Sequence, residues 1–236
     1  MIPKLVHLSF KTKEIVNSRN RIIKNGLNNL INMNPDWKVD IYEDNEIDKY
    51  LRFTLKSIDY KLYKNCHVVE KLDVWRLLKI YNEGGLYMDL DRLYNIPLSN
   101  IVDEDTLCVL PTCNDHDFSQ DFMLSSPGNP IYLETINLIL QRRHSGIKHT
   151  YFLGAQTYMH AVTKTLTGTM INSSPGKEIF DNIRKIISKI SFIRTYKETS
   201  PYNTVVFHDQ DVGFDHEQEK RNLYKEFGLK HWTNEW

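Results

Sequence analysis

The opening of the chain alternates between strand and helix patterns, and that alternation narrows the possible folds more than any other feature. Leu5-Val6-His7-Leu8-Ser9-Phe10 is a compact apolar run that reads as a buried first strand. Ile22, Ile23, Leu27, Leu30 and Ile31 follow at helical spacing and predict a helix over residues 17–33. That helix should stop before Asn34-Pro35, because the residue preceding a proline is pushed out of the helical region. Trp37, Val39 and Ile41 then alternate with polar residues, which is a strand pattern. Strand, helix, strand in this order is the signature of a parallel sheet.

The same grammar continues downstream. Asp44 is placed to cap a short helix through Leu51, and Val69, Leu72, Leu77 and Ile80 give a stronger helix over 68–83. Gly84-Gly85 ends it, since glycine after a helix accommodates a left-handed cap. Leu86 to Asp91 is a strand in which Leu86, Met88 and Leu90 share one face and Tyr87, Asp89 and Asp91 the other. Leu107–Leu110 and Asp121–Leu124 read as strands, and Ser126 to Pro130 as a turn into a helix at 131–143. Helices near 154–166 and 176–190 and a late strand at Tyr202–Phe207 complete the reading. The expected architecture is one α/β domain spanning 1–236, with helical additions.

Composition limits the function. The 236 residues carry 30 Lys plus Arg and 30 Asp plus Glu, a formal net charge of zero. Nucleic-acid binders usually show a basic excess, so no nucleic-acid partner is expected, whereas a small anionic ligand needs only a local site. Three cysteines in a chain of this size argue against a disulfide framework and for a reducing compartment, so a cytoplasmic location is expected. Cys108, Cys113 and His116 supply only part of a zinc ligand set. No stretch approaches the ~20 apolar residues that cross a bilayer, and the N-terminus has no signal-peptide pattern.

The chemistry concentrates at Asp89-Leu90-Asp91. Two carboxylates on one face at the end of an apolar strand can reach one hard cation, Mn²⁺ or Mg²⁺, which then also takes phosphate oxygens from a substrate. On the preceding helix, Asp73 and Arg76 are three residues apart and share a face. They read either as an intrahelical ion pair or as a polar pair that grips sugar hydroxyls. Trp75 beside them reads as core, and His67, His144, His149 and His160 lack metal spacing. Lys220-Arg221 beside Glu217 and Glu219 reads as a solvated helix face.

Asp73-x-x-Arg76 followed by Gly84-Gly85-x-Tyr87-x-Asp89-x-Asp91 resembles the DxD-containing sugar-binding region of glycosyltransferase family 32. It is also similar to the core of the clostridial glucosylating toxins. Ile2-Pro3-Lys4-Leu5-Val6-His7, Asn34-Pro35-Asp36-Trp37, Pro127-Gly128-Asn129-Pro130 and the closing His231 to Trp236 resemble further family segments in the same order.

The resemblance implies a Rossmann-like GT-A fold, with a mixed, mainly parallel sheet and helices on both faces. It implies a retaining hexosyltransferase that uses Mn²⁺ or Mg²⁺ and a nucleotide-sugar donor, UDP-linked by preference, with GDP-mannose possible. The acceptor would be a glycan or another hydroxyl. By the same resemblance Asp89 and Asp91 serve the metal, with Leu90 between them at the donor, and Asp73 and Arg76 hold the donor sugar. Phe10 stacks on the base, with the backbone at Leu8 and Ser9 facing the base edge. In the tail, Trp236 meets a phosphate, and His231 and Asn234 lie on the metal side.

Two other readings use the same residues. A non-catalytic nucleotide-sugar- or glycan-binding module would show no turnover. DxD is also the nucleophile motif of Mg²⁺-dependent phosphatases, but those continue into Thr or Val after one residue, and here Arg92-Leu93 follow.

Overall fold

The computed structural model describes residues 1–64, 66–112, 118–171, 190–195 and 212–229. The expected helix at 176–190 lies outside them up to its last residue, and the expected strand at Tyr202–Phe207 lies wholly outside.

The opening is β1 (Leu5–Ser9), α1 (Arg21–Asn25), α2 (Leu27–Met33) and β2 (Lys38–Tyr42). The anticipated helix over 17–33 is therefore two helices, starting later than expected. Asn20 sets the start by accepting a hydrogen bond from the Ile22 amide at 2.9 Å. Gly26 divides them, with φ −97° and ψ −81°, and a Cβ there would lie 2.3 Å from the Arg92 carbonyl oxygen. The chain beyond the DxD segment crosses at this point, and only glycine leaves it room.

α3 (Asp44–Thr54) is longer than expected, and its cap is Glu43 rather than Asp44. Glu43 and Glu46 form a reciprocal capping box, one residue ahead of the cap expected at Asp44. α4 (Ser57–Tyr63) leads to α5 (Val68–Glu83), whose bounds match the sequence reading. α5 is buried from Asp73 through Ile80, the charged Asp73, Arg76 and Lys79 included. Lys79 is held by Glu83 at 2.5 Å and by the faces of Tyr42 and Tyr50.

Gly84 and Gly85, with φ of +68° and +88°, reverse the chain into β3 (Gly85–Met88). A Cβ on Gly85 would meet the Leu5 carbonyl oxygen at 2.4 Å, so the turn needs glycine for space as well as for conformation. His7 closes the same corner through Nε2, 3.0 Å from the Gly84 carbonyl oxygen.

β4 (Cys108–Thr112), β5 (Phe122–Ser125), α6 (Pro130–His144), α7 (Thr150–Leu153) and α8 (Ala155–Thr167) follow, then β6 (Ile190–Arg194) and α9 (His216–Glu226). Ile190 opens a strand, which corrects the end of the expected 176–190 helix.

Among the described residues the six strands form one sheet in the order β2-β1-β3-β5-β4-β6. All neighbours run parallel except β5, which is antiparallel to both β3 and β4. β3 alternates between two cores, as the period of two requires. Leu86 and Met88 pack with Val6, Leu8, Leu27 and Leu30, whereas Tyr87 joins Val74, Trp75, Leu77 and Tyr132 on the other face. Trp75 is fully buried between Tyr42 and Tyr87, as expected of a core residue.

The chain leaves β1 toward β2 on one side, and β3 pairs on the other. The point between β1 and β3 is thus a topological switch, and open α/β sheets form their ligand crevice at the carboxyl ends of strands there. Substituting Gly85→Ala should lower the free energy of unfolding by about 2–4 kcal/mol, from forced positive φ and overpacking against Leu5. Urea unfolding checks this, and an unchanged midpoint would contradict the packing described for the turn.

Candidate active site

A cavity of about 410 Å³ opens at that switch point, lined by Ser9 and Phe10 from the end of β1, Asp73 and Arg76 from α5, and Asp89, Leu90 and Asp91 beyond β3. Lys220 and Tyr224 of α9 close one side, and Gln120, Thr150 and Ala155 another. The sheet therefore brings together residues scattered over most of the chain.

The centre is Arg76. Its guanidinium bonds Asp73 one turn earlier in α5 and reaches Asp89 Oδ1 at 3.3 Å and the Gln120 carbonyl oxygen at 3.3 Å. Tyr87 donates its phenolic hydrogen to the same Asp89 oxygen at 2.6 Å. Burial pushes the Tyr87 hydroxyl far above its ordinary value, so it serves as a fixed donor. β3 ends at Met88, yet the alternation carries one step further: Asp89 faces the same side as Tyr87, while its amide bonds the Asp121 carbonyl oxygen at 2.9 Å.

Asp73 is pressed against the amino end of α8. A Cβ on Gly154 would lie 2.3 Å from Asp73 Oδ2. Gln120, with its amide oxygen toward the donors, accepts from the Ala155 amide at 2.8 Å and from Arg76 at 3.3 Å. The intrahelical pair and the polar grip envisaged for Asp73 and Arg76 thus coincide: they are ion-paired and line the cavity.

The two carboxylates of the DxD differ. Burial raises Asp89 above the usual carboxylate range, and Arg76 offsets this only in part. Burial would also raise Asp91, but the Lys220 ammonium and the Arg92 guanidinium outweigh it and bring Asp91 down to about 2. Lys220 Nζ lies 2.6 Å from Asp91 Oδ2, with its side chain only 14% exposed. Lys220 is therefore not part of a solvated helix face. One turn earlier on α9, His216 Nε2 lies 3.0 Å from the Asp91 carbonyl oxygen. Arg92 pairs with Asp121 beneath the turn.

A hard cation suits this donor set. Two carboxylates in a cavity wall are a common complement for Mg²⁺ or Mn²⁺ when substrate phosphates supply further oxygens. Among the described residues no group of three or more His, Cys, Asp or Glu side chains is placed to hold a metal. The further ligands expected from the tail, His231 and Asn234, lie outside the described residues, as does Trp236.

Of the base-side residues, Ser9 and Phe10 line the cavity, and Phe10 stands edge-on to Phe227 with centroids 5.1 Å apart. The Leu8 side chain is fully buried in the core behind this wall, which leaves only its backbone for a ligand. Cys108 is buried beside Tyr132, and Cys113 and His116 lie outside the described residues. Sequence reasoning missed Gln120, His216, Lys220 and Tyr224, which have no motif and are brought in by tertiary packing. His67, read as ordinary, caps α5 and also lines the cavity.

Arg76 pairs with the buried Asp73 and with the partly exposed Asp89, so Arg76→Met should cost about 3–5 kcal/mol, the usual penalty for leaving a buried charge unpaired. Chemical denaturation at neutral pH measures it, and a loss below about 1 kcal/mol would contradict the central position given to this side chain.

Known proteins resemble this chain in sequence and in fold. Residues 21–108 match the family described as the glycosyltransferase sugar-binding region containing a DXD motif. Over 154 residues the chain is 23% identical to inositol phosphoceramide mannosyltransferase 1 of Schizosaccharomyces pombe, covering 64% of this chain and 45% of that protein. The chain thus spans less than half the length of that relative. The solved structure of the PaToxG glycosyltransferase superposes with a TM-score of 0.55 at 18% identity, covering 78% of this chain and 75% of that one. Residues 21–108 thus match a DXD-containing glycosyltransferase sugar-binding region, and the α/β fold that carries them is similar to that of a solved glycosyltransferase.

Proposed function

We propose that this chain is a metal-dependent, retaining hexosyltransferase, moving a sugar from a nucleotide-sugar donor to a hydroxyl of a glycan or another acceptor. The observation that carries the reading is the meeting of Asp73, Arg76, Asp89 and Asp91 with Ser9 and Phe10 around one cavity at the switch point. Those groups suit the separate parts of a nucleotide sugar. Phe10 offers an aromatic face for the base and Ser9 polar atoms for its edge. Arg76 and Asp73 offer a charged donor and acceptor for sugar hydroxyls. Asp89 and Asp91 would hold Mn²⁺ or Mg²⁺ beside the diphosphate.

When bound, the cation supplies Lewis-acid stabilisation of the charge that develops on the leaving diphosphate. The protein's own part is preorganisation. Tyr87 and Arg76 keep Asp89 aimed, and His216 holds the backbone at Asp91, so these groups need little rearrangement during reaction. In the same reading Trp236 donates its indole N–H to a phosphate oxygen, and His231 and Asn234 add donors on the metal side.

Retention rests on the resemblance to family 32, and the hexosyl assignment is supported by the relative named as a mannosyltransferase. UDP is favoured through Phe10, with GDP-mannose the next candidate. The whole chain is read as one catalytic domain. A reducing, cytoplasmic setting is supported by Cys66 and Cys108, both free thiols, and among the described residues no helix is long and apolar enough to cross a membrane.

A panel of UDP- and GDP-sugars incubated with Mn²⁺ should reveal slow hydrolysis of one donor. Asp91→Ala should abolish that turnover while the circular dichroism spectrum stays unchanged. Binding without turnover would favour a nucleotide-sugar-binding module, and full activity in the Asp91 variant would sink the metal assignment.

A further inference from the structure

Lys220 stands out because lysine is rarely enclosed unless it is paired. Its ammonium sits on Asp91 Oδ2 at 2.6 Å inside the cavity. The helix that carries it is fixed at several points. Asn20 Nδ2 donates to the Glu219 carbonyl oxygen at 2.9 Å, and Ser18 donates to Glu226 at 3.0 Å. Lys11 donates to the Phe227 carbonyl oxygen at 2.9 Å, and Leu223 is buried in the core. His216 and Lys220 are one turn apart and grip the backbone and the side chain of the same residue. The helix is thus anchored, while the four-carbon lysine stem can swing its charge within the cavity.

The charge balance around Asp91 gives this a purpose. Asp73, Asp89, Asp91 and Asp121 face Arg76, Arg92 and Lys220, which leaves one net negative charge. A divalent cation alone would reverse that sign, and a diphosphate carrying two charges would restore it. Resting on the proposed metal- and nucleotide-sugar-dependent function, we propose that Lys220 is a built-in counter-cation for Asp91. It yields this carboxylate to the metal and passes to the donor's diphosphate. Metal and diphosphate then bind cooperatively, and metal alone binds weakly. The donor's arrival, rather than free metal, assembles the site.

The test uses the full chain, with Mn²⁺ alone and Mn²⁺ with inorganic pyrophosphate as probes, free Mn²⁺ being read by electron paramagnetic resonance. Lys220→Gln should bind Mn²⁺ alone about tenfold more tightly than the unaltered protein, and pyrophosphate in the presence of Mn²⁺ about tenfold more weakly, within the usual range of coupling between sites. Lys220→Arg, which keeps the charge, should follow the unaltered protein in Mn²⁺ binding. Asp91→Asn should weaken Mn²⁺ binding in every background. If Asp91→Asn weakens it but Lys220→Gln does not strengthen it, the counter-cation role is overturned and the metal reading stands. If Lys220→Gln holds Mn²⁺ with pyrophosphate as tightly as the unaltered protein, the handover to diphosphate is overturned. If no variant takes up Mn²⁺ in an Asp91-dependent way, the metal reading fails and this proposal with it.

Discussion

One guanidinium organises the site. Arg76 lies in a helix buried on every side near it, and its charge is tolerated only because Asp73 and Asp89 share it. Removing charges from water is expensive, and the cost is recovered only with tight geometry and satisfied hydrogen bonds. Gln120, Tyr87 and the Gly154 backbone supply that geometry. The requirement reaches back into the fold. Arg76 can meet Asp89 only if α5 folds directly onto β3, and that needs the two glycines with positive φ between them. The Gly-Gly turn and the ion cluster are thus one device, part backbone and part charge.

The sheet then decides what the device faces. Because β1 sits between β2 and β3, the chain ends after β1 and β3 open side by side. Aromatic and polar atoms of Phe10 and Ser9 line the same cavity as the acidic turn. The charge balance follows the same economy. The chain has no net charge, and the cavity wall sets Asp44, Asp73, Asp89 and Asp91 among Lys11, Arg76, Arg92 and Lys220. A phosphate ligand can be met here by local cations and a metal, without the basic surface that polyanion binding requires.

Much of this was legible in the residues. The helix over 68–83, the Gly-Gly stop and the two-faced strand were readable because local signals and tertiary demands agree there. The continuous helix over 17–33 failed at Gly26, where the Arg92 carbonyl from the far side of the DxD crosses the helix, a contact no local pattern encodes. β6 goes unread for a related reason: the sequence reading ends a helix at residue 190 and gives 191–194 no element, because a run as short as Ile190–Arg194 carries little periodicity. Around the cavity, Asp73, Arg76, Asp89 and Asp91 are singled out by their spacing together with the resemblance to family 32. Lys220 is not. Its neighbours in sequence are those of an exposed helix, and only the docking of α9 on Asp91 turns it inward.

The central claim is that the Asp89–Asp91 turn and the cavity beside Phe10 hold a metal and a nucleoside diphosphate together. Anomalous diffraction from crystals grown with Mn²⁺ and UDP or GDP tests it directly. The account predicts a manganese peak at coordination distance, roughly 2.0–2.3 Å, from an Asp91 carboxylate oxygen, with the diphosphate between it and Lys220 and the base against Phe10. Manganese or nucleotide bound elsewhere, with the Asp91–Lys220 pair intact, would contradict it.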